Sequence, residues 1–147
     1  MGQVFETQRR VEFCETDAAG IVHFSSYVRY MEQAEHEFWR SLGTSVMQPL
    51  GDGVTQGWPR VRVECDFRGV ARFEDVLSVE LVIENLGQKS IRFRFEFKSE
   101  ERVIASGRLT TVCCRVEHGQ ELKSIPISDE LRELLGPYVV GDVCDSV

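Results

Sequence analysis

Apolar and polar residues alternate along five stretches of the chain, and this period of two predicts β-strands buried on one face. The predicted strands cover residues 3–13, 61–68, 76–86, 90–98 and 102–116. The stretch 90–98 shows the pattern most clearly, because an apolar residue recurs at every second position from Ile91 to Phe97. Short connections between the later strands predict an antiparallel sheet.

A different spacing follows the first strand. From Tyr27 to Leu42, apolar residues recur at intervals of three and four, which predicts a long amphipathic helix. Ser25 or Ser26 is its predicted N-cap, and Gly43 its predicted stop. One long helix can cover the apolar face of one sheet. The pattern therefore predicts an α+β domain in which a curved antiparallel sheet of about five strands wraps the helix.

The remaining segments carry weaker patterns. Proline and glycine residues interrupt residues 44–59, which predicts a loop with at most a short helical turn. Gly107 inside the last strand predicts either a bulge or a strand buried on both faces. Ser128 is predicted to cap a short second helix, and the patternless tail 138–147 is predicted to be frayed. No repeat or linker divides the chain, so we predict a single domain with its core over residues 3–135.

Charge and cysteine usage narrow the class of function. The formal net charge of -7 argues against nucleic-acid binding, which needs a basic surface. No apolar run reaches the roughly 18 residues of a transmembrane helix, and the N-terminal residues lack a signal-peptide core. Five cysteines without C-x-x-C spacing predict free thiols in a reducing cytoplasm. The three histidines are scattered, so we predict no metal site.

Candidate chemistry lies between the first strand and the long helix. Asp17 is followed by an apolar loop, which is unusual because connections are normally polar. Asp17 has two interpretations, an Asx turn or a desolvated carboxylate acting as base or nucleophile. Gly20 permits either an ordinary turn or the close approach of a ligand. The helix N-terminus that follows offers backbone N–H groups and the positive end of the helix dipole.

The sequence of this region resembles a known family. Residues 10–22, R-V-E-F-C-E-T-D-A-A-G-I-V, and the helix start Y-V-R-Y-M-E resemble the hot-dog-fold acyl-CoA thioesterases of the 4-hydroxybenzoyl-CoA thioesterase family. Weaker matches occur at residues 57–59 and 88–90. In total, the resemblance covers residues 3–135. It implies a hot-dog fold and hydrolysis of an acyl-CoA to a carboxylic acid and free CoA, without a metal or redox cofactor.

The resemblance also implies roles for particular residues. Asp17 would attack the thioester carbonyl or activate water, and the backbone N–H of Phe24 would polarise that carbonyl. The predicted substrate-binding residues are Gly20, Val22, His23, Tyr27, Trp58 and Pro59. The predicted CoA-binding residues are Arg60, Lys89 and Ser90.

Several of these side chains have a structural alternative. Core packing is the favoured interpretation of Tyr27, and Trp58 suits the core as well as a pocket. His23 stands where the family has Trp or Tyr, so it either bonds a substrate hydroxyl or fills space. Glu32 and Glu35 are rival carboxylates, since other branches of the hot-dog superfamily place the catalytic acid on this helix.

Apolar residues on the predicted outer face, together with open sheet edges, predict at least a dimer. These outer residues are Val76, Val82, Ile104 and Val112. The resemblance implies a homodimer or homotetramer with composite sites.

Two other functions stay open. A thioesterase for acyl carrier protein would need a basic patch, which the net charge disfavours, and a non-catalytic acyl-CoA-binding domain would not need Asp17. The acyl group, aromatic or short-chain aliphatic, is also open.

Overall fold

The computed structural model describes residues 2–141, which form nine strands and two helices. The helices are α1 (Phe24–Ser41) and α2 (Asp129–Leu135). The strands are β1 (Phe5–Arg10), β2 (Gln48–Gly51), β3 (Val54–Gly57), β4 (Arg60–Phe67), β5 (Val76–Leu86), β6 (Ser90–Ser99), β7 (Arg102–Val112), β8 (Cys114–Glu117) and β9 (Lys123–Ser124). Short 3-10 turns occur at Phe13–Glu15 and Gly136–Tyr138.

Five of the strands form one antiparallel sheet in the order β1-β5-β6-β7-β4. The alternating apolar residues of β5 and β6 form one buried face of the sheet, as their alternation predicts; they are Leu77, Val79, Leu81 and Ile83 of β5 and Ile91, Phe93, Phe95 and Phe97 of β6. Helix α1 lies on this face through a stripe of buried residues that includes Tyr30, Ala34 and Phe38. Phe38, for example, meets Phe93 of β6 edge-on with ring centroids 6.0 Å apart. The predicted α+β architecture is therefore confirmed.

Gly107 has a different role from the predicted bulge. A methyl group at Gly107 would overlap the sulfur of Met31, so its small size lets α1 approach β7 closely. The register shift of β7 lies elsewhere, since Phe97 pairs with Ala105 and Lys98 with Val103. This irregularity leaves Ile104 between the pairs, where it is buried rather than facing outward as predicted.

The prediction of a loop over residues 44–59 is wrong, because β2 and β3 form a hairpin there. Its turn uses positive φ angles at Asp52 and Gly53, which is why small and polar residues cluster in the segment. The hairpin joins β8 and β9 in a second sheet of order β2-β3-β8-β9. The predicted strand 102–116 is accordingly two strands, interrupted at Cys113.

The C-terminal segment is packed further than predicted. Ser128 caps α2 by accepting a hydrogen bond from the Leu131 N–H, as expected. Beyond the helix, the ring of Tyr138 packs edge-on against Phe38, and the N–H of Val140 donates to the carbonyl of Ile83 at 2.9 Å. Residues 138–140 are thus attached to the core, and residues 142–147 of the predicted frayed tail lie outside the described residues.

Candidate active site

Asp17 lies in a small loop that closes on itself. Thr16 and Val22 form an isolated antiparallel bridge, and the Asp17 N–H donates to the Ile21 carbonyl at 2.8 Å. One carboxylate oxygen of Asp17 accepts the Ala19 N–H at 2.8 Å, so the Asx turn is present. Gly20 sits at φ +77° with open space beside it, which explains a glycine at this position. The Asp17 side chain remains partly exposed at the surface of the loop.

The N-cap of α1 is His23, not Ser25 or Ser26 as predicted. The Nδ1 atom of His23 accepts the Ser25 N–H at 3.1 Å, and the His23 carbonyl accepts the Ser26 N–H at 2.9 Å. Among residues 2–141, the N–H of Phe24 has no acceptor, since it is the first residue of the helix. The loop therefore presents a carboxylate at one end and an available backbone donor at the other.

Glu15, which the pattern analysis missed, connects the loop to the helix. Its main-chain oxygen accepts the His23 N–H at 2.8 Å and the Ser26 hydroxyl at 2.9 Å. Its carboxylate accepts the Tyr30 hydroxyl at 2.9 Å and the Glu12 N–H at 2.7 Å. Burial, and then the Glu15 carboxylate, raise the pKa of Tyr30. The E-x-x-E spacing of Glu12 and Glu15 is a sequence signal that could have predicted the bond between these two residues, since it is the spacing of a capping box.

Exposed aromatic rings surround the loop. Phe13 and Phe73 meet edge-on with centroids 5.8 Å apart, and both are exposed. Phe24 is also exposed and stacks on the His23 ring at 4.4 Å. The Val22 N–H donates to the Ala71 carbonyl, which ties the loop to the segment before Phe73. An apolar surface therefore adjoins Asp17 and the N-terminus of α1.

Three of the predicted substrate-binding residues are buried. Val22 and Tyr27 belong to the core, and Tyr27 contacts Phe67 and Phe97 with centroids 5.3 Å away. Burial, and secondarily Cys65, raise the pKa of Tyr27 to about 12. Trp58 stacks on Trp39 at 5.2 Å in the core. Tyr27 and Trp58 therefore pack in the core, and their predicted contact with the substrate stays a prediction.

Arg60, which is partly exposed, forms an ion pair with the buried Glu35. The two terminal guanidinium nitrogens of Arg60 contact the fully buried carboxylate of Glu35. The same carboxylate accepts the Trp39 indole N–H at 3.0 Å. Burial raises the pKa of Glu35, while Arg60 and the indole of Trp39 oppose that rise. Arg60 also approaches Glu32, at 3.6 Å. This geometry gives Arg60 a structural role in addition to its predicted contact with CoA.

The predicted catalytic and CoA-binding residues lie at opposite ends of α1. Tyr27, near the Asp17 loop, packs on Phe97, whereas Trp39 packs on Phe93 close to Arg60. These two helix positions are about 18 Å apart along the axis. Arg60 and Ser90 flank the same end of β7, opposite Thr111 and Val112, and exposed Lys89 precedes Ser90.

Among residues 2–141, no three His, Cys, Asp or Glu side chains are grouped so that they could hold a metal ion. Neither helix of that part of the chain combines the length and apolar character needed to cross a bilayer.

Residues 11–135 match the model of the thioesterase-like superfamily, and the chain belongs to that family. An Aquifex aeolicus protein, provisionally named an esterase, is 36% identical over 89% of this chain and 97% of its own length. A 1,4-dihydroxy-2-naphthoyl-CoA hydrolase of Prochlorococcus marinus is 32% identical over 67% of this chain and 69% of its own. The solved structure of a gentisyl-coenzyme A thioesterase matches with a TM-score of 0.72 at 31% identity, covering 88% of this chain and 99% of that one.

These matches confirm the predicted hot-dog fold and the predicted family. They also confirm the prediction of a thioester hydrolase at the level of the family.

Proposed function

We propose that this protein is an acyl-CoA thioesterase whose active site is built on the loop from Thr16 to Val22. The observation that carries the proposal is that this loop holds Asp17 near its start and leads directly into the N-terminus of α1, where the N–H of Phe24 has no acceptor among residues 2–141. A partly exposed carboxylate and an unpartnered helix N-terminal donor are the two groups that attack on a carbonyl requires.

The proposed reaction adds water across the thioester. Either Asp17 attacks the carbonyl carbon and the resulting anhydride is hydrolysed, or Asp17 takes a proton from the attacking water. In both routes the C–S bond breaks, the CoA sulfur leaves as thiolate and takes up a proton, and the acyl group becomes a carboxylic acid. The Phe24 N–H would stabilise the oxyanion, a contribution of about 3 kcal/mol to the barrier for one such donor. Water is the only co-substrate, so no cofactor is needed.

The relatives suggest the acyl group. Both substrates named for them, 1,4-dihydroxy-2-naphthoyl-CoA and gentisyl-CoA, carry aromatic hydroxylated acyl groups. The exposed rings of Phe13, Phe24 and Phe73 beside the loop offer aromatic contacts to such a group. We therefore propose an aromatic acyl-CoA as substrate. CoA thioesters and the thiols of Cys14, Cys65, Cys113 and Cys114 both suit a reducing cytoplasm, which is our proposed location.

A homodimer would complete the site. Strand β4 ends at Phe67, which touches Tyr27 near the Asp17 loop, and begins at Arg60. Antiparallel pairing of β4 with a second copy would bring the start of one strand beside the end of the other. The partner subunit's Arg60, and with it Lys89 and Ser90 at the same sheet end, would then approach the Asp17 loop. This arrangement supports the composite site that the family resemblance implies.

The test is CoA release over a panel of benzoyl-, hydroxybenzoyl-, dihydroxynaphthoyl- and aliphatic acyl-CoAs, followed with a thiol-reactive dye. Asp17→Asn should lower kcat on the order of 10³-fold, because it removes the base or nucleophile. Asp52→Asn is the matched control, since Asp52 lies in the β2–β3 turn at positive φ, where asparagine is tolerated.

Two outcomes would contradict the proposal. Full activity of Asp17→Asn would remove Asp17 from the mechanism. Failure of the folded native protein to cleave any member of the panel would refute acyl-CoA hydrolysis. Turnover of acyl carrier protein thioesters, or acyl-CoA binding without turnover, would then identify which alternative function applies.

A further inference from the structure

We infer that Glu15 and Tyr30 act as positioning residues that set the placement of Asp17 relative to the Phe24 N–H. The inference rests on the proposed function and deepens it. Neither side chain is proposed to touch the substrate. Their effect would reach the reaction through the loop and the first turn of α1.

The contacts of Glu15 reach both ends of the site. Glu15 precedes Asp17 by two residues, and its main-chain oxygen accepts the N–H of His23, the residue next to Phe24. The same oxygen accepts the hydroxyl of Ser26 in the first turn of α1. One residue therefore holds the start of the loop against the start of the helix.

The Tyr30 hydroxyl extends this connection into the second turn of α1. Tyr30 is fully buried, and its hydroxyl donates to the Glu15 carboxylate at 2.9 Å. The same carboxylate oxygen accepts the Glu12 N–H, which fixes the 3-10 turn before the loop. A hydrogen bond to a carboxylate is stronger than one between neutral groups, so this contact restrains the turn well.

The loop has few other attachments to the helix. Its remaining backbone bonds close the loop on itself, between Thr16 and Val22 and between Asp17 and Ile21. The Val22 bond to Ala71 attaches the loop to a different segment. Without the bond from the Tyr30 hydroxyl to the Glu15 carboxylate, the loop would keep its internal shape and the bonds to the Glu15 main-chain oxygen, but its start would be free to shift against α1. Attack on a carbonyl needs base and oxyanion donor aligned within about 1 Å, so such a shift lowers the rate of the chemical step.

The experiment compares Tyr30→Phe, Glu15→Ala and the double variant, with CoA release as the assay. Tyr30→Phe should lower kcat roughly 10- to 100-fold and leave KM nearly unchanged, because substrate contacts are retained. The double variant should be no slower than Glu15→Ala, since Tyr30 acts through Glu15. Tyr138→Phe, whose ring packs on Phe38 away from the loop, is the matched control and should behave like the native protein.

A conservative variant separates positioning from folding. Glu15→Gln keeps a carbonyl oxygen as acceptor for the Tyr30 hydroxyl, so its kcat should stay within a few-fold of the native value while Glu15→Ala falls. If Glu15→Ala fails to fold, Tyr30→Phe and Glu15→Gln still provide the comparison. An unchanged kcat in Tyr30→Phe, or fully additive losses in the double variant, would overturn the inference.

Hydrogen exchange of the ligand-free protein tests the same pair independently of activity. In Tyr30→Phe, amides of residues 16–26 should exchange faster, while those of residues 33–41 keep the native rate. Unchanged exchange over 16–26 would overturn the inference. If the native protein hydrolyses no thioester, the proposed function fails, and the exchange result still decides whether the pair holds the loop.

Discussion

At the scale of single residues, His23 shows how a cap can depart from the usual residue types. Its Nδ1 atom takes the place of a serine or asparagine oxygen and accepts the Ser25 N–H. Because Nδ1 is the acceptor of that bond, the neutral ring carries its proton on Nε2. The ring also stacks on Phe24, which adds apolar contact that a serine would lack. The His23 side chain therefore both caps α1 and adds to the aromatic surface.

The cap makes a prediction for stability. His23→Ala should lower the free energy of unfolding by about 1 kcal/mol. His23→Asn should keep most of the native stability, because asparagine supplies an equivalent acceptor. Urea denaturation of the two variants measures the difference. His118→Ala, at an exposed position in the turn after β8, is the control and should be neutral. Equal losses in His23→Ala and His23→Asn would show that the ring packs but does not cap.

At the scale of elements, an ion pair and two stacked indoles attach the C-terminal half of α1 to the start of β4. Glu35 and Trp39 come from the helix, and Trp58 and Arg60 from the opposing segment. Arg60 donates to the Trp58 carbonyl at 2.9 Å as well as to Glu35. A buried carboxylate is stable in the charged form only while such a partner is present.

Arg60→Met should therefore be strongly destabilising at neutral pH, by about 3–5 kcal/mol, because it leaves the Glu35 charge buried alone. The pKa of Glu35 is already raised by burial, and removing Arg60 raises it further. A raised folded-state pKa favours the protonated form, so the variant is destabilised as pH rises through that pKa. Relative to the native protein, its deficit should shrink as pH falls towards 4.

Denaturant unfolding at pH 7 and pH 4.5 checks this prediction. Arg62→Met is the matched control, since Arg62 forms a surface ion pair with Glu64 and no other ion pair within residues 2–141, and it should change stability by less than about 0.5 kcal/mol. A deficit in Arg60→Met that is the same at both pH values would argue against a buried charge as its cause.

At the scale of the whole molecule, the dominant feature is the edge of the main sheet that β4 forms. Strand β4 pairs with β7 alone among the described strands, and it exposes apolar side chains along its length. Val61, Val63 and Phe67 are 61%, 47% and 50% exposed. An exposed apolar edge invites pairing with another strand, and a second copy of β4 is the partner that would also complete the proposed site.

Charge placed on this edge should separate the subunits. We expect Val61→Lys with Val63→Lys to convert a dimer to a monomer in sedimentation velocity and to abolish thioester hydrolysis, because the composite site is lost. Leu122→Lys, on an equally exposed apolar residue before β9, should leave both properties unchanged. A fully active monomer would show that one chain holds the whole site.

The strongly periodic elements were predictable because local pattern and burial agree in them. Strands β5 and β6 and helix α1 follow their predicted ranges closely, since each has one face that must be apolar. The Asp17 loop was likewise recognisable, because an apolar connection between a strand and a helix is unusual. These elements, together with the family motif, determined the fold class and the location of the candidate site.

Other features depend on contacts between residues distant in the chain. The β2–β3 hairpin exists because β8 pairs with it, and Tyr138 is ordered because Phe38 lies beneath it. Ile104 is buried because β7 shifts register against β6. The sequence by itself thus determined the periodic elements, which follow from local spacing, and it indicated Asp17 as the candidate catalytic residue through the family motif. The tertiary structure alone decided the cap, the Glu15–Tyr30 contact and the engagement of Arg60, because each needs a partner that only folding brings near.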